Sequence, residues 1–109
     1  MAYDEKLAQR IEQHLTERPG ITQRKMFGGV CYMLHGNMAV GIVGSELMLR
    51  LGAAGVNDAL RQPHTRPMDF TGRVMKNMLY VQPAGIKSDK QLGAWIERAL
   101  QFADTLPKK

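Results

Sequence analysis

Apolar residues near the start of the chain recur at the spacing of an amphipathic helix. Asp4 is placed to cap the N-terminus of this helix, and Pro19-Gly20 is expected to end it at about Arg18. The apolar stripe lies on one helical face and consists of Leu7, Ala8, Ile11 and Leu15.

A second amphipathic helix is predicted at the end of the chain. Ser88 and Gln91 match the capping-box pattern, in which each side chain bonds the backbone N–H of the other residue. The helix that follows is expected to end near Leu106. Its apolar stripe consists of Leu92, Trp95, Ile96, Ala99, Leu100 and Ala103.

Between these helices, short apolar runs alternate with turn residues, which is typical of an antiparallel meander. Glycine-centred turns are predicted at His35-Gly36-Asn37 and at Gly44-Ser45-Glu46. They separate strands over residues 30–34, 38–43 and 47–51.

The two faces of these strands differ. In the third strand, Leu47, Leu49 and Leu51 share one face, while Met48 and Arg50 share the other. The first two strands are apolar on both faces. They are therefore expected to be central in the sheet, or to have one face covered by a partner subunit.

The rest of the chain completes an α+β pattern. A short helix is predicted over residues 56–61, Pro63 and Pro67 favour an irregular segment or an edge strand, and another strand is predicted over residues 74–81. The predicted order is helix, three strands, short helix, two strands, helix. We expect a two-layer α+β domain with an antiparallel sheet of about five strands and the terminal helices packed on it.

Composition agrees with one globular domain. The chain has 109 residues, of which 44% are hydrophobic and 23% charged. We expect a single domain over residues 1–109 with a frayed tail at residues 107–109. The chain contains one cysteine and no apolar run of about 20 residues, so an internal disulfide is excluded and a cytoplasmic location is expected.

One short motif is a candidate structural or interaction motif. Arg24, Lys25, Met26, Phe27, Gly28 and Gly29 stand between the first helix and the apolar strands. Adjacent glycines suggest a bulge, a sharp bend or a close approach of another backbone. A phosphate loop is disfavoured, because no Gly-Lys-Ser/Thr follows and no helix begins there.

The net charge of +5 permits an acidic partner without requiring one. Several basic side chains in the middle of the chain could converge on a phosphate backbone if the fold gathers them, although a scattered solvated set is the favoured interpretation. These are Arg24, Lys25, Arg50, Arg61, Arg66, Arg73 and Lys76. Met48 and Met78 are candidates for lining a partner-binding face, because methionine adapts to irregular surfaces.

No residue pattern points to catalysis. Cys31 lies in an apolar strand and is expected to be a buried structural thiol. The histidines and isolated carboxylates form no metal-ligand or acid–base spacing, so no catalytic residue, metal or cofactor is predicted. They are His14, His35, His64, Asp58 and Asp69.

Several segments in combination match a known family. They are Arg24-Lys25-Met26-Phe27-Gly28-Gly29, His35-Gly36-Asn37-Met38-Ala39, Leu47-Met48-Leu49-Arg50, Arg66-Pro67-Met68-Asp69-Phe70 and Trp95-Ile96-Glu97-Arg98-Ala99-Leu100. Together they resemble the N-terminal domain of the TfoX/Sxy family over nearly the whole chain, and the chain is expected to be a stand-alone form that lacks the family's C-terminal domain. The resemblance implies a two-layer α+β fold like that of secretion chaperones, and it supplies no catalytic residue.

The family's namesakes are bacterial regulators of competence for DNA uptake that act with a cyclic-AMP receptor protein. The first hypothesis is therefore a non-catalytic protein-interaction module, related to such transcriptional co-regulators, that forms a homodimer or binds a protein of the transcription machinery. The alternative is direct nucleic-acid binding through the basic surface of Arg50, Arg66, Arg73 and Lys76 with the Arg24–Gly29 motif. A small enzyme or ligand carrier is the least favoured, because it needs a pocket between sheet and helices. No contact with a membrane is expected.

Overall fold

The computed structural model of the chain describes residues 3–16, 18–26, 29–70 and 73–108. Within these ranges the chain forms three α-helices, a short 3₁₀ turn and six strands. In chain order they are α1 (Glu5–Leu15), β1 (Ile21–Met26), β2 (Gly29–Leu34), β3 (Asn37–Val43), β4 (Glu46–Arg50), α2 (Gly52–Ala59), β5 (Thr65–Phe70), β6 (Arg73–Val81), the 3₁₀ turn (Pro83–Gly85) and α3 (Asp89–Asp104).

The strands form one antiparallel sheet in the order β1-β2-β3-β4-β6-β5. The buried residues of all three helices join one cluster with the side chains of a single sheet face, so helices and sheet make two layers. The predicted α+β class is confirmed. β2 and β3 lie in the interior of the sheet, which is one of the two expectations stated for these doubly apolar strands.

The terminal helices begin where their capping residues predict. The Asp4 carboxylate accepts hydrogen bonds from the backbone N–H groups of Lys6 (2.9 Å) and Leu7 (3.2 Å). Ser88 and Gln91 form the reciprocal capping box. Both helices end a few residues before the predicted positions. α1 stops at Leu15 and α3 at Asp104, and each helix ends in a turn before Pro19 or Pro107 is reached.

The polar segment Ile21–Met26 is a strand, β1, which the sequence pattern did not predict. The Arg24–Gly29 motif therefore spans two strands and does not precede the first. In β1, Ile21 is half-buried and residues 22–25 are exposed. The segment lacks the alternation of a half-buried strand because it lies at the edge of the sheet, where backbone pairing with β2 holds it.

The predicted turns are confirmed. His35 (φ 51°) and Gly36 (φ 85°) both adopt positive φ between β2 and β3, as a type I′ hairpin turn requires, and Gly44 (φ 62°) does so between β3 and β4. The segment around Pro67 is an edge strand, β5, with a shift in register between Pro67 and Met68. Proline is tolerated there because an edge residue has no second neighbour to bond.

The main core fills the space between the helices and the sheet. Its fully buried side chains include Ile11 of α1, Ile42 and Leu49 of the sheet, and Leu92 and Ile96 of α3. The predicted stripes of both terminal helices face this core, with Trp95 packed at its margin. None of the described helices is long and apolar enough to cross a membrane.

Polar contacts join distant parts of the chain across this core. The Tyr32 hydroxyl of β2 donates a 2.8 Å hydrogen bond to Glu12 of α1. Asn37, a buried polar residue at the start of β3, donates a 2.8 Å bond through Nδ2 to the carbonyl of Pro107. The contacts of the domain therefore extend to Pro107.

Gly29 occupies a position that a larger residue would disturb. A Cβ atom there would collide with the backbone carbonyl oxygen of Ile42. Gly29 therefore lies close to another backbone, which is one of the three expectations for the glycine pair. Gly28 lies outside the described residues.

We expect Gly29→Ala to lower the free energy of unfolding by about 3 kcal/mol, because β3 must move to admit the methyl group. Gly44→Ala is the matched control, since no atom lies within 4 Å of a Cβ there and only its positive φ opposes the change; its effect should be about 1 kcal/mol. Urea unfolding of both variants measures the difference, and equal losses would contradict the proposed collision.

Candidate functional site

A single row of side chains crosses the whole sheet on the face turned away from the helices. Residues directly opposite in antiparallel strands lie on the same face, so the pairings identify the members of this central row. In sheet order they are Arg24, Cys31, Gly41, Met48, Tyr80 and Arg66. An arginine stands at each edge, with apolar or glycine positions between.

The middle of the central row is closely packed. A Cβ on Gly41 would meet the Met48 methyl group and the Cys31 Sγ atom. The missing side chain of Gly41 is thus replaced by its two neighbours. This explains a glycine in the interior of a central strand, where it otherwise weakens packing.

We name this side of the sheet the outer face, defined by the central row with Met33, Met38, Val43, Glu46, Arg50 and Met78. Cys31, Met48, Met78 and Tyr80 form a second buried cluster there, with Met38 and Val43 packed against it. Met48 and Met78 therefore share one face. Both side chains are buried within a single chain.

One end of the central row carries a compact polar contact. The Arg66 guanidinium donates two hydrogen bonds to the Glu46 carboxylate, at 2.8 and 2.6 Å, and lies over the Tyr80 ring at 4.4 Å from its centroid. A bidentate pair of this kind orients both side chains. Glu46 and Arg66 are twenty residues apart, and nothing in their local sequence predicts the contact.

The basic residues do not converge on one point. Arg24, Arg50 and Arg66 share the outer face by register. Arg24 and Arg66 are separated by five strand spacings, or about 24 Å. Lys25 points to the opposite face beside Val30.

The remaining basic candidates are more peripheral. Lys76 is exposed on β6, and Arg61 is exposed after α2. Arg73 begins β6, and its side chain lies outside the described residues, as do the side chain of Met26 and the whole of Phe27 and Gly28. Of the basic candidates, Arg24, Arg50 and Arg66 share the outer face, and the described residues do not gather the set at one place.

Among the residues that the structure describes, we find neither a reactive thiol nor a metal-binding cluster. Cys31 is fully buried, and burial raises the pKa of its thiol, which opposes formation of a reactive thiolate. No group of three or more described His, Cys, Asp or Glu residues is placed to hold a metal ion.

Several clefts of the described surface are open to solvent. One, of about 300 Å³, lies where α3 meets the segment before β5, with Trp95, Arg98 and His64 in its wall. Its most polar group is already engaged, because Arg98 stacks on Trp95 (5.1 Å to the centroid) and donates to Asp58 at 3.1 Å. The space between sheet and helices, which a ligand carrier would use, is filled by the main core.

Comparison with known proteins adds one finding. The family model of the TfoX N-terminal domain matches residues 13–103. This range runs from the last turn of α1 to the last turn of α3 and includes all six described strands. No curated protein and no solved structure matches the chain.

We expect the burial of Cys31 and Tyr32 to lower stability at alkaline pH. Burial raises the pKa of Cys31 above its ordinary 9.0, and burial together with the Glu12 hydrogen bond and charge raises that of Tyr32 above its ordinary 10.0. In both cases the unfolded state releases its proton first. The stabilising contribution is therefore complete below the ordinary value and is lost as pH rises above it.

We expect the free energy of unfolding to decline above about pH 9, by at most about 1.4 kcal/mol per pH unit for each group. Urea unfolding from about pH 8 to about pH 11 measures the slope. Cys31→Ala should flatten its first part and Tyr32→Phe the part above about pH 10. An unchanged slope in both variants would contradict this account.

Proposed function

Because the chain belongs to the TfoX N-terminal domain family, we propose that it is a non-catalytic protein-interaction module that acts as a transcriptional co-regulator. The family is related to competence for DNA uptake. The proposed co-regulator recognises another protein through the outer face of its sheet and leaves sequence recognition to that partner.

The observation that carries this proposal is the composition of the outer face. Methionine, tyrosine and arginine are the residue types that protein interfaces favour, whereas aspartate, glutamate and lysine are depleted there. The partly or fully exposed residues of the described outer face include Met33, Met38, Arg24, Arg50 and Arg66, while Met48, Met78 and Tyr80 are buried in it; Glu46 is its one described acidic residue. Glu46 is paired with Arg66.

The exposed part of this face has an adaptable centre and a charged border. Met33, Met38 and Val43 are half-buried, while Arg24 at the edge is exposed. Methionine side chains can repack against partners of different shape. A protein of the transcription machinery with apolar side chains and an acidic border fits such a surface, and a second copy of the chain is the other assembly that we propose.

Met38→Glu tests the proposed surface. Placing a carboxylate among the apolar side chains of the centre should weaken partner binding about tenfold or more, because the charge must be desolvated. The matched control is Gln9→Glu, which makes the same charge change on the exposed side of α1.

The assay is the mobility of promoter DNA bound to purified cyclic-AMP receptor protein, together with the solution mass from light scattering. Wild type and Gln9→Glu should slow the receptor–DNA complex or show the solution mass of a dimer, and Met38→Glu should do neither while keeping its circular dichroism spectrum. A wild-type chain that stays monomeric and leaves the complex unchanged would remove the proposal, as would full activity of Met38→Glu.

Direct nucleic-acid binding is the second candidate, favoured by the shared placement of three arginines on the outer face. Phosphate contacts by such residues make binding strongly dependent on salt. Only a single described carboxylate opposes them on this face, and Arg66 already neutralises it.

If the chain binds duplex DNA directly, its affinity should fall steeply with rising salt, and Arg24→Glu should reduce both the affinity and the salt slope. Lys6→Glu is the control, because it makes the same change in net charge on exposed α1. Fluorescence anisotropy with labelled duplex measures both quantities. Equal losses in the two variants would show a diffuse effect of net charge, and no binding near physiological salt would eliminate this candidate.

A further inference from the structure

The edge of the sheet at β1 has features that the outer face does not explain. We propose that this edge binds an acidic protein segment in extended conformation, which adds to the sheet as an antiparallel strand next to β1. The inference rests on the proposed function only in taking the partner to be a protein. It uses the backbone edge of β1, which shares only Arg24 with the outer face, and the Gln23 and Met38 variants test the two surfaces independently.

The backbone groups that would receive the added strand can be identified from the pairing with β2. The His35 N–H donates to the Gly20 carbonyl at 2.8 Å, so Gly20 bonds toward β2. Because bonding alternates along an antiparallel strand, Thr22 and Arg24 also bond toward β2. The N–H and C=O groups of Ile21, Gln23 and Lys25 therefore point away from the sheet.

The two edges of the sheet differ in their ability to pair again. At the β5 edge, Pro67 and the shift in register before Met68 interrupt regular pairing. Such features protect a sheet from strand addition. In β1 the pairing with β2 is regular from Ile21 to Met26, and the strand contains no proline. The β1 edge is the one of the two that keeps a continuous set of backbone groups.

Charge selects the kind of strand. Arg24 and Lys25 are exposed and form no ion pair with a described residue. The β1 segment has no acidic residue. Cross-strand partners of opposite charge stabilise strand pairing and like charges oppose it. A second copy of the chain added here would bring four cationic side chains to one seam, whereas an acidic segment would neutralise both of those in β1.

The register also defines a pattern for the partner. Arg24 and Lys25 lie on opposite faces of the sheet, so they require two consecutive acidic residues in the added strand. In antiparallel orientation, the residue opposite Ile21 comes three positions after the second acidic residue. An apolar side chain is favoured there, because Ile21 is half-buried and packed against the main core.

Charged residues on an edge strand also serve to prevent aggregation, and that role alone would need no ligand. The two roles differ in a measurable way. Protection from aggregation predicts no selective binding, whereas strand addition predicts selectivity for acidic over basic peptides and dependence on the outward N–H of Gln23.

The probe is the fluorescent peptide Thr-Thr-Glu-Glu-Thr-Thr-Val-Thr, with Thr-Thr-Lys-Lys-Thr-Thr-Val-Thr as its charge-reversed control, measured by anisotropy. Gln23→Pro removes an outward N–H that the native sheet does not use, and Gln23→Ala is its matched control. Wild type and Gln23→Ala should bind the acidic peptide, and Gln23→Pro should bind it about tenfold more weakly or not at all.

A second variant keeps the test decisive if Gln23→Pro disturbs the fold. The double change Arg24→Glu with Lys25→Glu should lose the acidic peptide and gain the basic one, which loss of folding cannot produce. Equal binding of both peptides by wild type, full binding by Gln23→Pro, or no binding of the acidic peptide at about 1 mM would each overturn the proposal. The receptor–DNA assay with Met38→Glu separates this result from the outer face, because that variant should bind the peptide normally.

Discussion

The register between β2 and β3 decides which side chains face the helices and which face away. A slip of one residue would exchange the two faces, placing Cys31 in the main core and Val30 outside it. The irregularity between Tyr32 and Met33 lets β3 keep Val40 and Ile42 toward the helices while Met38 remains on the outer face. The type I′ turn at His35-Gly36 sets this register at one end of the hairpin.

In this two-layer fold, no described helix packs on one face of the six-stranded sheet. Long, flexible side chains cover the centre of that face. The Met48 methyl group fills the space above Gly41, and Arg66 covers the Tyr80 ring. The centre of this surface is buried within one chain, and its methionine side chains can repack against another protein. The functional proposal depends on this combination and does not require an exposed apolar patch.

The two edges of the sheet differ in backbone pairing and in the contacts of their basic side chains. Pro67 and its shift in register end the sheet at β5, and the contact of Arg66 with Glu46 ties that edge to β4. The β1 edge keeps its backbone groups and carries cations without described acidic partners. At the β5 edge, the charge of Arg66 is paired within the chain and stabilises the fold. At the β1 edge, Arg24 and Lys25 are the residues that we propose bind a partner.

The elements whose formation is local can be read directly from the amino-acid sequence. Asp4, the Ser88–Gln91 capping box and the His35-Gly36 turn depend on neighbours within a few residues, and the apolar stripes of α1 and α3 follow the helical period. Only the tertiary structure revealed β1, because a polar edge strand is held by backbone pairing that leaves no mark in side-chain pattern. Backbone pairing also explains the composition of the site. Arg24 and its neighbour Lys25 lie on opposite faces, whereas Arg24 shares a row with Arg66, forty-two positions away. Cross-strand register, and not proximity in sequence, decides which side chains share a face.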